Sequence, residues 1–164
     1  MSIRRLTHLG ICVSDLERSV RFYEQALGFR VVGTFSAGDE ATATILELEG
    51  VKAEMVYLER DGWRIELLHY LSPGHQGDGQ RRPMNLLGLT HLSFAVDDLD
   101  TVADLVERLG GRVLPGTRAT FESGNSGLFL LDPDGLRIEL IDRRGGLDRV
   151  PGTGPAGTAR RALT

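Results

Sequence analysis

The chain repeats itself. Leu6-Thr7-His8-Leu9 returns as Leu89-Thr90-His91-Leu92 at an offset of 83 residues, and Val13, Asp15 and Leu16 return at the same offset as Val96, Asp98 and Leu99. Leu27-Gly28 is answered by Leu109-Gly110, one residue shorter, and Gly62-Trp63-Arg64-Ile65-Glu66-Leu67 by Gly135-Leu136-Arg137-Ile138-Glu139-Leu140 at an offset of 73. Whatever the chain folds into must therefore be built from two copies of one unit. Two copies are too few for a solenoid, and 164 residues suit a single domain, so the copies are expected to pack as a pair.

Each unit reads in the same order. Residues 6–13 alternate, with Leu9, Ile11 and Val13 on one face and His8, Gly10 and Cys12 on the other, the period of a half-buried strand. A helix follows: Ser14 with Glu17 reads as a capping box, Leu16, Val20, Tyr23 and Leu27 form the apolar stripe, and Gly28 ends it. In the second copy the cap is Asp97 or Asp98, the stripe Leu99, Val102, Val106 and Leu109, and the stop Gly110. Short apolar runs come next and are expected to be strands: 30–33, 42–48, 52–58 and 63–70, then 112–114, 118–121, 127–131 and 136–142. Asp61-Gly62 and Asp134-Gly135 are hairpin turn signals. The expected layout is α+β, with two tandem βαβββ modules, 3–70 and 88–143, joined by connector 71–87 within one domain, 1–143. A Gly/Pro-rich tail, 144–164, is expected to be poorly ordered, and the connector to act as partial lid or linker.

Composition removes several function classes. A net charge of −4 argues against nucleic acid as the main partner, since phosphate-binding surfaces carry a basic surplus. One cysteine excludes an internal disulfide and a cysteine-rich zinc site. No apolar run approaches the roughly 20 residues needed to cross a bilayer, and no signal peptide is legible, so the expected location is the cytoplasm.

The repeat places a histidine on the first strand and a glutamate on the last strand of each unit. His8 shares its face with Gly10 and Cys12, and His91 shares its face with Ser93 and Ala95, small side chains that leave room for a cavity. Glu66 and Glu139 alternate with Ile65, Leu67, Ile138 and Leu140 and so point away from the apolar side. If the modules pair about a pseudo-two-fold, His8, Glu66, His91 and Glu139 converge on one concave surface and can hold a first-row divalent ion, two carboxylates balancing its charge. Symmetry between copies can also persist passively, so a structural role for each residue stays open at this stage. His69 is expected to pack locally and His75 to be exposed. Cys12 reads as a bystander thiol or as a neighbour of the metal. Trp63 and Tyr70 read as ligand-stacking or core residues, and one of Glu47, Glu49 and Glu54 as a second acid on the middle strands.

The sequence resembles the vicinal oxygen chelate superfamily, the glyoxalase, bleomycin-resistance and dioxygenase group. The resemblance is carried by Leu6-Thr7-His8-Leu9, Val13 through Tyr23 with Leu27-Gly28-Phe29, Arg64-Ile65-Glu66-Leu67-Leu68, Leu89 to Asp98, and Leu131-Asp132-Pro133-Asp134-Gly135-Leu136-Arg137-Ile138-Glu139-Leu140. It implies paired βαβββ modules forming a cupped mixed sheet around a divalent metal (Ni, Co, Zn, Mn or Fe), in a homodimer. His8, Glu66, His91 and Glu139 match the four ligand positions of the glyoxalase I branch, shared in large part by methylmalonyl-CoA epimerases. The extradiol dioxygenases and fosfomycin-resistance enzymes usually use three. Residues 34–44 lack a match to the glutathione-contacting segment of glyoxalase I, the connector differs, and the region of His91 lacks the doubled histidine of the epimerases.

The resemblance thus implies a lyase, isomerase or epimerase acting on a small molecule with adjacent oxygens, by proton abstraction to a metal-stabilised enediolate. Glu139, or else Glu66, is the expected proton carrier. A non-catalytic drug- or metabolite-binding protein of the bleomycin-resistance kind, and an extradiol dioxygenase, stand beside it as alternatives.

Overall fold

The computed structural model describes residues 2–122 and 124–142; the tail read at 144–164 lies outside them. The first unit runs β1 (Leu9–Cys12), α1 (Leu16–Gln25), β2 (Arg30–Ala37), α2 (Glu40–Leu46), β3 (Lys52–Arg60) and β4 (Trp63–Ser72). The second runs β5 (Leu92–Val96), α3 (Leu99–Arg108), β6 (Arg112–Val113), β7 (Ala119–Thr120), β8 (Ser126–Leu131) and β9 (Arg137–Asp142), with a 3₁₀ turn at Pro115–Thr117.

Each unit makes its own mixed sheet, in the order β1-β4-β3-β2 and β5-β9-β8-β6, with β7 also on β8. In both, the first and last strands pair in parallel, Gly10 opposite Glu66 and Ser93 opposite Glu139, and the other pairs are antiparallel. A parallel pair needs a crossover, which α1 and α3 supply.

Of the expected stripes, Tyr23 and Leu27 in the first unit and Leu99 and Val106 in the second are buried, joined by Phe22 and Ala103, while Leu16, Val20, Val102 and Leu109 pack against the core partly buried. The cap of α1 is Asp15, which accepts from the Arg18 amide at 2.9 Å, in place of the expected Ser14. Ser14 is occupied elsewhere, as described below. On α3 the cap is Asp98, accepting from the Thr101 amide at 2.7 Å.

The expectation of a strand over 42–48 is corrected: this run is the exposed helix α2. Its alternating Thr42, Thr44, Leu46 and Leu48 imitate a strand, but Asp39 caps the segment, accepting from both the amide and the hydroxyl of Thr42 at 2.8 and 2.6 Å. The preceding strand extends instead to Ala37.

One apolar cluster spans both units, joining Ile11, Val13, Phe22, Tyr23, Ile65 and Leu67 to Val106, Leu128, Leu130, Ile138 and Leu140. Polar links cross the same junction. The buried Tyr23 hydroxyl donates to Asp132 at 2.9 Å. The Asp134 carboxylate accepts from the Ser14 amide at 3.1 Å, the Ser14 hydroxyl at 2.5 Å and the Arg18 guanidinium at 2.6 Å. The β8–β9 turn of the second unit is thus docked onto the start of α1 in the first. Contact is close enough at Gly111 that an added Cβ would lie 2.8 Å from the Phe22 ring and 2.6 Å from Val106.

Between β4 and β5 the chain has no helix or strand, but it is held: the Arg137 guanidinium donates twice to the Arg82 carbonyl, at 3.2 and 3.1 Å.

Candidate functional site

His8 and His91 each stand one residue before an edge strand, and Glu66 and Glu139 lie within the strand beside it. This brings them together in pairs: His8 Nε2 is 3.1 Å from Glu66 Oε2, and His91 Nε2 is 3.5 Å from Glu139 Oε2. The rest of each pair's surroundings repeats as well. Thr7 Oγ1 is 3.2 Å from His8 Nδ1 and Thr90 Oγ1 is 2.9 Å from His91 Nδ1. An aromatic ring meets each imidazole edge-on, Tyr57 at 5.3 Å and Phe129 at 5.3 Å. A guanidinium covers each aromatic ring at 5.8 Å, Arg64 on Tyr57 and Arg137 on Phe129.

These pairs suit a divalent ion in their donor chemistry. Imidazole nitrogen and carboxylate oxygen are ligands for first-row metals, and two ligands each about 2.1 Å from one ion at a right angle lie about 3 Å apart, close to the separations seen here. Occupying Nδ1 with a threonine hydroxyl leaves Nε2 for the ion, the usual second contact of a ligating histidine.

The four residues do not, however, gather in one place. Among the described residues no three or more His, Cys, Asp or Glu side chains are grouped as a metal would require. His8 lines a cleft of about 410 Å³ with Thr7, Phe35, Tyr57 and Arg64, whereas His91 lines a more apolar one of about 600 Å³ with Trp63, Leu89, Ser93 and Phe94. Within one chain the four expected residues stand as two separate His–Glu pairs. The reason lies in the packing: β1 and β5 each pair on one side with β4 or β9 and remain edges, so the two sheets do not join into one.

The remaining candidates fall away from this geometry. Glu47 caps the end of α2 in a left-handed conformation, Glu49 follows it, and Glu54 stands on β3 opposite His69, so no second acid joins either pair. His69 packs with its Nδ1 buried and without a hydrogen bond. His75 is exposed in the connector. Cys12 is exposed, and desolvation followed by the charge of Asp134 pushes its thiol up, away from the reactive thiolate. The Tyr70 phenol is raised, chiefly by burial. Trp63 is 60% exposed and outside the core, and lines the cleft beside His91.

Sequence reading missed Tyr57. It stands opposite Glu66 in the β3–β4 register. Burial first, then the neighbouring Glu66 carboxylate, raises its phenol above the ordinary value. The signal was present, since a two-residue Asp61-Gly62 turn pairs Arg60 with Trp63 and, counting back, Tyr57 with Glu66.

Two similar α+β units, each with a histidine just before its first strand paired to a glutamate on its last, define a protein of the paired-module kind. The chain belongs to the Glyoxalase/Bleomycin resistance protein/Dioxygenase superfamily, whose family model matches residues 5–140. It is 28% identical over 159 residues to a lactoylglutathione lyase of Neisseria meningitidis, covering 89% of this chain and 96% of that one. It is 29% identical over 141 residues to an ethylmalonyl-CoA/methylmalonyl-CoA epimerase of Cereibacter sphaeroides, covering 84% and 97%. In fold it matches a glyoxalase family protein from Bacillus cereus with a TM-score of 0.76 at 22% identity, covering 86% of this chain and 95% of that one.

Proposed function

We propose that the chain is a divalent-metal-dependent lyase or isomerase that moves a proton on a small substrate with two adjacent oxygens, and that it works as a homodimer. The observation that carries this reading is the repetition of one His–Glu geometry in two half-sites, each too small to hold an ion alone. His8 and Glu66 of one copy, with His91 and Glu139 of the partner subunit, would supply two imidazoles and two carboxylates. Such an ion, when bound, would polarise the substrate oxygens and acidify the neighbouring C–H. The unpaired edges of β1 and β5, and the exposed Phe35, Trp63 and Leu89, are surfaces that a second copy would cover.

The chain's own residues divide the remaining work. Glu66 is the more enclosed acid, its side chain 10% exposed against 23% for Glu139. Glu139 accepts from the Ser93 hydroxyl at 2.6 Å, and its greater exposure supports assigning it, as in the family resemblance, to take and return the proton, a role worth roughly 10²–10⁴-fold in rate. A four-donor set favours proton transfer over the ring cleavage carried out by three-donor relatives. Similarity to both a lactoylglutathione lyase and an acyl-CoA epimerase directs the substrate search to methylglyoxal–thiol adducts and to acyl-CoA epimers. Elemental analysis of the purified protein, with turnover of those compounds, tests the reading: His8→Ala should lose metal and Glu139→Gln should lose turnover. Wild-type metal content and turnover in both variants would contradict it.

A further inference from the structure

The repeat puts an arginine at the same place in both units, and the two units treat its charge differently. Arg64 and Arg137 each stand two residues before the glutamate of their pair, on the same strand and so on the same face. Across β3–β4, Arg64 lies opposite Glu59 and donates to it from Nε at 2.9 Å, so its charge is met within the sheet. Across β8–β9, the residue opposite Arg137 is the apolar Leu131. Among the described residues no carboxylate pairs with Arg137. Its guanidinium covers the Phe129 ring that meets His91, and it donates only to a neutral partner, the Arg82 carbonyl.

That bond brings a second cation alongside. Arg82 and Arg137 line a cleft of about 50 Å³ with Leu89 and Thr90, and no acid is among its lining residues. Thr90 is the residue that contacts Nδ1 of His91, and Leu89 also lines the apolar cleft of about 600 Å³ beside His91. The small basic cleft thus adjoins the larger apolar one. Arg137 uses Nε and Nη2 on one carbonyl, and Arg82 uses Nη2 on another, that of Leu87 at 3.0 Å. A guanidinium has five N–H donors, so both keep donors for an anion, and neither carbonyl cancels a full charge.

We propose that Arg137, with Arg82, forms an anion subsite that receives a carboxylate or phosphate group of the substrate, whose apolar part lies in the cleft beside His91. The proposal rests on the reading above only in assigning that anion to a substrate. It gives the site a direction. The arginine of the first unit is already neutralised by Glu59, so the charged end of the substrate lies at the second unit. Arg137 then decides which molecules are accepted, and the planar fork of a guanidinium suits either oxyanion.

The test is calorimetric titration of the full-length protein with three probes that share a phenyl group and a short chain: phenylbutyrate, its neutral amide, and phenylpropyl phosphate. Thermal unfolding checks that each variant is folded. Wild type should bind the anions roughly 10–100-fold more tightly than the amide, as hydrogen bonds to a charged group allow, and the tighter of the two anions identifies the substrate's oxyanion. Arg137→Gln should lose that preference, and Arg137→Lys, which keeps the charge without the fork, should keep part of it. A wild type that binds neither anion, or binds the amide as well, would overturn the subsite, as would a folded Arg137→Gln that keeps the preference. Should Arg137→Gln fail to fold, Arg82→Gln, at an exposed position, decides in the same way. None of these outcomes depends on metal content, which tests the reading above separately.

Discussion

The Ser14 hydroxyl donates to the Asp134 carboxylate at 2.5 Å, joining residues 120 positions apart and tying the start of α1 to the β8–β9 turn of the other unit. Arg18 reaches the same carboxylate at 2.6 Å. Burial by itself would raise the acid, but the bonds from Ser14 and Arg18 outweigh it and hold the Asp134 pKa below its ordinary value. A carboxyl depressed in the folded state stabilises it above the unfolded value of about 3.9, and that contribution is lost as pH falls through the folded value. Asp134→Asn should lower stability at neutral pH by about 1–3 kcal/mol and flatten the acid limb of the stability curve. Urea unfolding between neutral and acid pH measures both.

Asp132, two residues away, behaves in the opposite sense. Burial raises its pKa despite hydrogen bonds from Leu136, Tyr23 and Asp134. The Tyr23 hydroxyl lies in the core with no exposed surface, so Tyr23→Phe would leave a buried carboxylate short of a donor while preserving the ring. The expected loss is about 1–3 kcal/mol at neutral pH. It should shrink as pH falls through the raised Asp132 value and the acid takes up its proton. Thermal unfolding of wild type and variant at several pH values reads the difference.

The threonines preceding each histidine carry a further expectation. Thr7 and Thr90 engage Nδ1 of His8 and His91 and so present Nε2 to the glutamates. Thr7→Val and Thr90→Val keep shape and remove the hydroxyl. Each should weaken divalent-ion affinity roughly 10-fold or more with little change in melting temperature. Isothermal titration with Zn²⁺ or Ni²⁺ is the measurement, and unchanged affinity in both would mean the threonines do not orient the imidazoles.

How much of this was legible in the sequence depends on the distance over which each signal acts. The α1 and α3 stripes and the Asp61-Gly62 turn are local, and the structure follows them. Strand parity put His8 with Glu66 and His91 with Glu139 because neighbouring parallel strands share one alternation. Parity could not say whether the two sheets join, since that depends on which side of each unit faces the other. The answer came from contacts such as Tyr23 with Asp132, 109 residues apart. Segment 42–48 reads as a short apolar run, whereas its helix is set by a single capping aspartate, Asp39.

The central claim is that one metal site is completed by two copies of the chain, and mixed copies test it most directly. His8→Ala protein and His91→Ala protein, each unable to bind a full complement of metal alone, are refolded together and the mixed dimer isolated with distinguishable tags. In that dimer one site carries both lesions, and the other keeps His8 and Glu66 from one copy with His91 and Glu139 from the other. Elemental analysis should then show restored metal, close to one ion per mixed dimer. A mixed dimer with no more metal than the parents, or variants that never associate, would contradict it.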